Sequence, residues 1–250
     1  MFTKEETTSP TVSTDALLLS ILIDAKERRD VAVADVEGAY LHADMDIFTV
    51  MKLEGLDVEI MCDVDSKYKK FVTEENRKKV LYLELVKALY GCVRSALLWY
   101  ELFSSTLTNL GFELNLYDPC VANKMIGGKQ CTLVWYVDDN KVSHVDPTVV
   151  TTIIEAIEKR FGKMTVSRGK EHEFLGMVIT YNDDGTASLD MSRYSKEAID
   201  DFGEEIKRTS TTPAGKNLFD IDETSPKLST EKAEVFHSIV AKLLYVSIRA

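Results

Sequence analysis

The strongest pattern of apolar and polar positions lies between Cys131 and Val145. The run Thr132 to Val137 is β-branched and aromatic, Asp138 to Asn140 interrupts it, and Lys141 to Val145 continues it. Good β-formers on both sides of a short Asp/Asn break are typical of a hairpin. The pattern therefore predicts strand, turn and strand, with two adjacent carboxylates at the turn.

Apolar residues recur at helical spacing in five other stretches, which predicts amphipathic helices. Glycines follow two of these stretches, at Gly111 and Gly162, where a left-handed residue ends a helix well. The predicted helices run from Thr14 or Asp15 to Arg29, from Leu89 to Gly111, from Pro147 to Gly162, from Ser192 to Lys207, and from about Thr230 with Val235, Ile239, Val240, Leu243, Leu244 and Val246 inward.

Shorter apolar runs predict the remaining strands, and the first of them is continuous enough to be buried on both faces. Asp46 to Lys79 has a mixed pattern that predicts an irregular insertion with room for a strand at Phe48 to Lys52, and the polar stretch Thr209 to Ser229 predicts a linker. This order of elements predicts an α+β fold, an antiparallel sheet with helices packed on one face. The predicted strands are Val31 to Val36, Val80 to Val86, Cys120 to Ile126, and a second hairpin of Phe174 to Thr180 and Ala187 to Met191.

Composition restricts the possible functions. The 250 residues are 45% hydrophobic and 28% charged, which is ordinary for a globular protein. The four cysteines form no CxxC pair, so a disulfide framework or a zinc site is not indicated. The net charge of −11 argues against a free-standing nucleic-acid binder, because such proteins usually have a basic surface.

The adjacent carboxylates Asp138 and Asp139 have two explanations. Asp is a good turn residue, so turn chemistry alone accounts for them, and for the pair by itself this explanation is preferred. The other explanation is a divalent cation, which prefers hard oxygen ligands and turns the repulsion between carboxylates into attraction.

Asp35 adds a third carboxylate, at or near the end of a strand predicted to be central in the same sheet. A buried Asp is uncommon unless it is paired or bound to a cation. If Asp35, Asp138 and Asp139 meet, the cluster stays ionised only with cations, and Mg²⁺ is the natural occupant. Two such ions about 3.5–4 Å apart hold the attacking and leaving oxygens of a phosphoryl displacement, so the reaction class is nucleotidyl or phosphoryl transfer.

A series of motifs, in order, resembles the reverse transcriptases of copia-type retrotransposons. The spacing fits from about Ser9 to the end, and the chain is identified as a member of that family on this basis. Asp35 to Leu41 resembles the first palm motif, Lys87 to Tyr100 the second, Tyr136 to Asp139 the third, Phe174 to Gly176 the motif after the palm, and Phe236 to Tyr245 the C-terminal segment.

The resemblance implies that Asp35, Asp138 and Asp139 are the metal-binding catalytic acids, with Mg²⁺ as cofactor and Mn²⁺ as a substitute. Tyr40 would lie under the sugar of the incoming nucleotide; without the family, an ordinary core aromatic is the simpler interpretation. The implied nucleotide-binding residues are Val36, Gly38, Ala39, Tyr40, Gly91, Arg94 and Ser95, and the implied primer-binding residues are Tyr136, Phe174, Leu175 and Gly176. Arg94 stands where the family more often has Gln.

The resemblance also implies a domain plan and partners. Residues 1–30 would be an N-terminal segment and helix, 31–170 the palm, 171–208 a palm–thumb hairpin and helix, and 209–250 a linker and C-terminal helix. Basic fingers would precede this chain and an RNase H domain would follow it, so we expect a fragment with weakened template binding. The implied partners are an RNA template, a DNA primer, deoxynucleoside triphosphates, and the RNase H and integrase parts of one polyprotein, without a membrane, inside cytoplasmic virus-like particles.

Two other interpretations stay open on the sequence. One is a catalytically dead retroelement remnant that acts as a structural or interaction domain with the same fold. The other is an acidic-pocket phosphotransfer module, against which the chain length, the antiparallel order and the Tyr136 to Asp139 turn all argue.

Overall fold

The computed structural model describes residues 3, 7–203, 205, 210–212, 215, 220 and 223–249. The chain divides into two compact units, Met1–Gly169 and Lys170–Ala250. This division falls one residue before the end predicted for the palm, while the palm and thumb assignments stay predictions. Much of the predicted linker from Thr209 to Ser229 lies outside the described residues.

Helices and antiparallel strands alternate along the described chain, which confirms the predicted α+β class. The helices are α1 (Thr14–Glu27), α2 (Ala39–His42), α3 (Leu56–Val64), α4 (Ser95–Asn109), α5 (Pro147–Phe161), α6 (Ser192–Asp200) and α7 (Thr230–Ser247), with a 3₁₀ helix at Ser66–Phe71. The strands are β1 (Asp30–Asp35), β2 (Val50–Glu54), β3 (Thr73–Glu75), β4 (Lys78–Glu84), β5 (Glu113–Leu114), β6 (Val121–Ile126), β7 (Lys129–Tyr136), β8 (Asp139–His144), β9 (Thr165–Arg168), β10 (Glu171–Phe174), β11 (Met177–Tyr181) and β12 (Ala187–Asp190). None of these described helices is both long and apolar enough to cross a bilayer.

The main sheet of the first unit has the strand order β5-β6-β7-β8-β1-β9, and every neighbouring pair is antiparallel. The strand β1 lies between β8 and β9, and its residues 31–34 are buried, as their continuous apolar character predicts. The glycines Gly127 and Gly128 both have positive φ and join β6 to β7 as the predicted tight turn.

Helices pack on both faces of this sheet, which corrects the expectation of one covered face. The helix α4 contacts the face of Trp135 through Phe103, and Phe161 of α5 packs against Phe103. Lys141 points to the opposite face, because its cross-strand partner is Val134 and not Trp135. There it forms an ion pair with Asp24 of α1. This buried ion pair joins α1 to the second face of the sheet.

The stretch Asp46 to Lys79 is folded, so its prediction as an irregular insertion was wrong. It contains β2, α3, the 3₁₀ helix and β3, and it forms a second sheet of order β2-β4-β3. A small core of Val58, Cys62 and Leu81 supports this sheet. Its outer side carries charges such as Lys52, which pairs with Glu54 at 2.7 Å, and these charges obscured the strand pattern in the sequence.

The segment before α4 is also different from the prediction, because the helix starts at Ser95 and not at Leu89. The Ser95 hydroxyl accepts the Leu89 amide hydrogen at 3.0 Å and donates to the Leu89 carbonyl at 2.7 Å, which folds the segment back on the helix start. Gly91 adopts φ of +93° within this turn. In α1 the N-cap is Ser13, one residue before the predicted cap, and Leu22 is exposed.

The second unit consists of the antiparallel sheet β10-β11-β12 and the helices α6 and α7, which pack against each other. Leu175 and Gly176, both at positive φ, form a tight turn between β10 and β11, so the predicted strand Phe174 to Thr180 was wrong at its start. The helix α6 ends at Asp200, before the predicted Lys207. In α7 the apolar residues predicted to face inward are largely exposed within the described structure, because periodicity shows an apolar face but not what covers it; Val235, Val240, Leu243 and Leu244 are examples.

Candidate active site

Asp35 and the central hairpin lie side by side in the main sheet. The antiparallel register of β1 and β8 places Asp35 directly opposite Asp139, and such Cα atoms are about 4.5–5.5 Å apart. The Val36 amide donates to the Asp138 carbonyl at 3.1 Å, so the end of β1 is also bonded to the hairpin turn. The structure therefore places Asp35 beside Asp138 and Asp139, which are distant from it in the sequence.

The hairpin turn itself is Val137-Asp138, which corrects the predicted turn Asp138 to Asn140. Tyr136 pairs with Asp139 across this two-residue loop. Val137 has φ of +56°, a conformation that is costly for a β-branched residue and typical of glycine at the first turn position. Asp139 and Asn140 belong to β8, where Asn140 is completely buried. The polar character of these residues suggested a turn because the sequence does not show which side chains the fold buries.

Acidic neighbours perturb the titratable groups of the site. Partial burial, and then the charges of Asp138 and Glu37, raise the pKa of Asp35 above its ordinary value. The same Asp138 charge, after partial burial, helps to raise the pKa of Tyr40. A bound cation would oppose each of these charge effects, because it favours the ionised carboxylates.

The carboxylates do not, however, form a preformed metal cage. Within the part of the chain that the structure describes, no three His, Cys, Asp or Glu side chains are arranged to hold a metal ion. After burial, the charge of Asp138 is the largest contribution to the raised pKa of Asp35, and two carboxylates are a donor set of the number and type that Mg²⁺ takes from a protein.

Two tyrosines lie beside these acids. The rings of Tyr40 and Tyr90 are 4.3 Å apart between centroids, and Tyr40 also packs against a core cluster that contains Ala88. Burial and the Asp138 charge raise the pKa of Tyr90. Tyr90 was missed as a site residue, although it stands within the second motif of the sequence; only the fold shows that it faces Asp138.

The other predicted nucleotide-binding residues have varied environments. Gly38 is at φ of +65° and precedes α2, in which Ala39 is completely buried. Arg94 donates from Nε to Asp46 at 2.9 Å and forms a second bond to the same carboxylate. This partner lowers the pKa of Asp46. Ser95 is buried and bonded to Leu89. Their roles stay predictions.

The predicted primer-binding residues belong to both units. Tyr136 ends β7 in the first unit, beside the hairpin turn. In the second unit Phe174 is buried, and the Leu175 carbonyl accepts a hydrogen bond from the Tyr245 hydroxyl at 2.8 Å. A Cβ atom at Gly176 would lie 3.4 Å from the Tyr194 ring. This close packing accounts for a glycine there without a primer, so the role in primer binding stays a prediction.

One buried charge cluster near the site was not predicted. The side chains of Lys141 and Asp24 are both 0% exposed and form an ion pair, and Arg29 lies 3.8 Å from Asp24. Lys141 is two residues after Asp139 on the same face of β8. No local signal distinguishes Lys141 from a surface lysine, because its partner is 117 residues away in the sequence.

Comparison with known proteins assigns the family. Residues 2–216 match the family model described as "Reverse transcriptase (RNA-dependent DNA polymerase)". The chain is 23% identical over 251 residues to the retrovirus-related Pol polyprotein from transposon TNT 1-94 of Nicotiana tabacum, covering 98% of this chain and 18% of that protein. It is 29% identical over 182 residues to a putative transposon Ty5-1 protein of Saccharomyces cerevisiae, covering 70% of this chain and 55% of that protein.

Solved structures with some similarity include two telomerases. The apo telomerase of Candida tropicalis is 12% identical with a TM-score of 0.42, covering 73% of this chain and 41% of that chain. The telomerase of Candida albicans, solved with a fragment of telomeric RNA, is 11% identical with a TM-score of 0.36, covering 80% and 40%. The family model, which matches most of the sequence, and the transposon relatives together show that the chain belongs to the copia-type reverse transcriptase family.

Proposed function

We propose that this chain is the RNA-directed DNA polymerase segment of a retrotransposon polyprotein, with Asp35, Asp138 and Asp139 as its catalytic acids. The observation that carries the proposal is the register that puts Asp35 opposite Asp139 and beside the Asp138 turn. The chain spans 18% and 55% of the two transposon relatives, so the activity of a whole polyprotein is part of this proposal.

Asp35 and Asp138 would hold Mg²⁺, or Mn²⁺ in its place, with Asp139 and the Val36 carbonyl as further oxygen donors. The donor set fits such an ion because it consists of hard oxygens and because Asp138 raises the pKa of Asp35. Two bound ions supply charge stabilisation for the attacking and leaving oxygens of nucleotidyl transfer. The protein's own contribution is to fix the carboxylates on paired strands, which lowers the cost of ordering them.

The neighbouring residues would orient the nucleotide. The Tyr40 ring, supported by Tyr90 and by the core, would lie under the sugar and exclude a 2′-hydroxyl by its bulk. Gly38, Ala39, Gly91 and Ser95 would shape the backbone of the pocket. Arg94 would exchange its carboxylate partner Asp46 for a triphosphate, since both present the oxygens that a guanidinium binds.

The remaining assignments concern the second unit and the partners. Tyr136, together with Phe174 to Gly176, would contact the primer, and the unit from Lys170 onward would be the start of a thumb. The template RNA, the primer DNA and the deoxynucleoside triphosphates would be the substrates, with fingers, RNase H and integrase parts in the same cytoplasmic particle. The net charge of −11 supports the idea that basic parts of the binding surface lie outside this sequence.

Calorimetric titration with Mn²⁺ tests the proposal. We expect the wild type to bind in the millimolar range or tighter and both Asp35→Asn and Asp138→Asn to lose the binding, because each removes a shared ligand. Asp63→Asn, at an exposed acid of α3, is the matched control and keeps wild-type binding. Equal binding by all four proteins would show that the ions bind the acidic surface and not this site.

A catalytically inactive remnant is the second candidate, and the Arg94–Asp46 ion pair favours it, since it occupies a predicted nucleotide contact. Primer extension with an RNA template, with the fingers segment of a related transposon protein fused before residue 1, distinguishes the two. Extension that Asp138→Asn abolishes supports the polymerase. Mn²⁺ binding without any extension supports the remnant.

A further inference from the structure

We propose that Trp99 and Asn140 are positioning residues, which hold the Val137-Asp138 turn from behind and thereby set where the Asp138 carboxylate lies. This inference rests on the proposed function of Asp138 as a metal ligand. Neither residue touches the open face of the site, and each acts through a hydrogen bond to a carbonyl of the turn.

Trp99 fixes the first carbonyl. Its indole Nε1–H donates to the Val137 carbonyl at 2.7 Å, and the side chain is almost completely buried in the first turns of α4. The ring is held by aromatic neighbours on three elements, with centroid distances of 6.2 Å to His42, 5.2 Å to Phe103 and 5.1 Å to Phe161. A donor held this firmly has little freedom to follow the turn, so the turn must adopt the position of the indole.

Asn140 fixes the second carbonyl. Its Nδ2 donates to the Asp138 carbonyl at 2.7 Å, and the Val36 amide donates to the same oxygen at 3.1 Å. Asn140 is completely buried, and burying a side-chain amide costs free energy unless it makes hydrogen bonds. The Asn140 amide therefore makes this hydrogen bond, which connects the turn to the following strand β8.

The turn needs such support because Val137 has φ of +56°. A β-branched residue avoids this conformation, which persists only where the surrounding structure enforces it. Asn140 faces the α4 side of the sheet, because it pairs with Trp135, whereas Asp139 and its partner Asp35 face the other side. The Asn140 bond thus comes from the α4 side, whereas the half-buried Asp35 and Asp139 face the opposite side.

The inference is tested by comparing the Mn²⁺ affinities of two variants that lose the same amount of packing. Trp99→Phe deletes the donor, and Trp135→Phe removes the same atoms from the second buried tryptophan of the same aromatic cluster. We expect Trp99→Phe to weaken Mn²⁺ binding by about 10–100-fold relative to Trp135→Phe, the range found when residues that orient metal ligands are removed. Equal affinity of the two variants, at similar midpoints of urea unfolding, would overturn the proposal.

The second pair of variants repeats the comparison on β8. Asn140→Ala deletes the other donor, while Ser143→Ala removes a buried hydroxyl that makes no hydrogen bond in the described structure. We expect only Asn140→Ala to weaken Mn²⁺ binding. Equal Mn²⁺ affinity of Asn140→Ala and Ser143→Ala would count against the inference. This comparison also tests the positioning role if Trp99→Phe does not fold.

Amide hydrogen exchange separates failure of the inference from failure of the proposed function. The Val36 amide donates to the Asp138 carbonyl, so its exchange reports the position of the turn without any metal. We expect faster exchange of this amide in Trp99→Phe and Asn140→Ala than in the two control variants. If the wild type binds no Mn²⁺, the proposed function fails, and unchanged Val36 exchange would then refute the positioning role as well.

Discussion

Replacement of Lys141 by Met tests how the first unit supports its catalytic strand. Lys141 and Asp24 form an ion pair with both side chains 0% exposed, and this pair joins β8 to α1. Removing one partner leaves a buried charge behind, which costs about 3–5 kcal/mol in typical proteins. We expect Lys141→Met to lower the free energy of unfolding, since Met fills the space of the lysine stem but supplies no charge.

The magnitude follows from what remains around Asp24. The Arg29 guanidinium lies 3.8 Å from the Asp24 carboxylate and is itself buried, so it continues to offset part of the charge. The loss is therefore expected at the lower end of the range, at about 3 kcal/mol. A loss of this size is a large part of the 5–15 kcal/mol that typically separates folded and unfolded domains.

Urea unfolding followed by tryptophan fluorescence measures this loss in the appropriate unit, because both tryptophans, Trp99 and Trp135, belong to the first unit. Lys79→Met is the control: its pair with Glu59 is exposed, at 61% and 54%, and such pairs contribute less than about 1 kcal/mol. The double variant Asp24→Leu/Lys141→Met should recover most of the loss. A cost below about 1 kcal/mol for Lys141→Met would refute the assumption that the pair is desolvated.

Three further predictions follow from the described residues. Asp138→Asn raises the free energy of unfolding at pH 7 by about 0.2–1 kcal/mol, because it removes a charge that raises the pKa of Asp35. Protonated Asp35 carries no charge, so urea titrations should show this gain disappear as the pH falls below the raised pKa. Arg77→Gly raises the same free energy by roughly 1 kcal/mol, since this exposed turn residue has φ of +63°. Burial raises the pKa of Cys120 to about 12 and of Cys131 to about 11, so a thiol reagent at pH 8, followed by mass spectrometry, should modify them only after unfolding.

The sequence predicts the parts of the fold that local signals determine. The helix α5 begins at Pro147, capped by Asp146, and Gly162 ends it, as the residue types alone indicate. The turn at Gly127 and Gly128 has the same origin. The continuous apolar run before Asp35 predicted a central strand, which the structure has as β1, but it did not show that Asp35 meets the hairpin acids.

The sequence fails where burial depends on distant partners. Val137 is a good strand residue by type, and it takes a turn conformation only because the paired strands on both sides define the register. The charged stretch between Asp46 and Lys79 folds as part of a sheet because Val58 and Cys62 form a core with Leu81 of β4, while Lys52 and Glu54 pair on the exposed side. Neither the turn conformation of Val137 nor the burial pattern of the second sheet produces a hydrophobic periodicity that can be recognised in a single sequence.

The face of β8 that carries Lys141 and Asp139 shows why charge alone does not locate the candidate site. Lys141 and Asp139 lie two residues apart on this face, and one is neutralised by Asp24 while the other faces Asp35. Lys141 and Asp24 join the sheet to α1, so their mutual attraction stabilises the fold. At the other end of the strand the charge of Asp138 raises the pKa of Asp35, and a cation bound there would oppose this effect. The two ends of β8 therefore differ in the charge that their neighbours supply, and this difference is visible only when both strands and α1 are considered together.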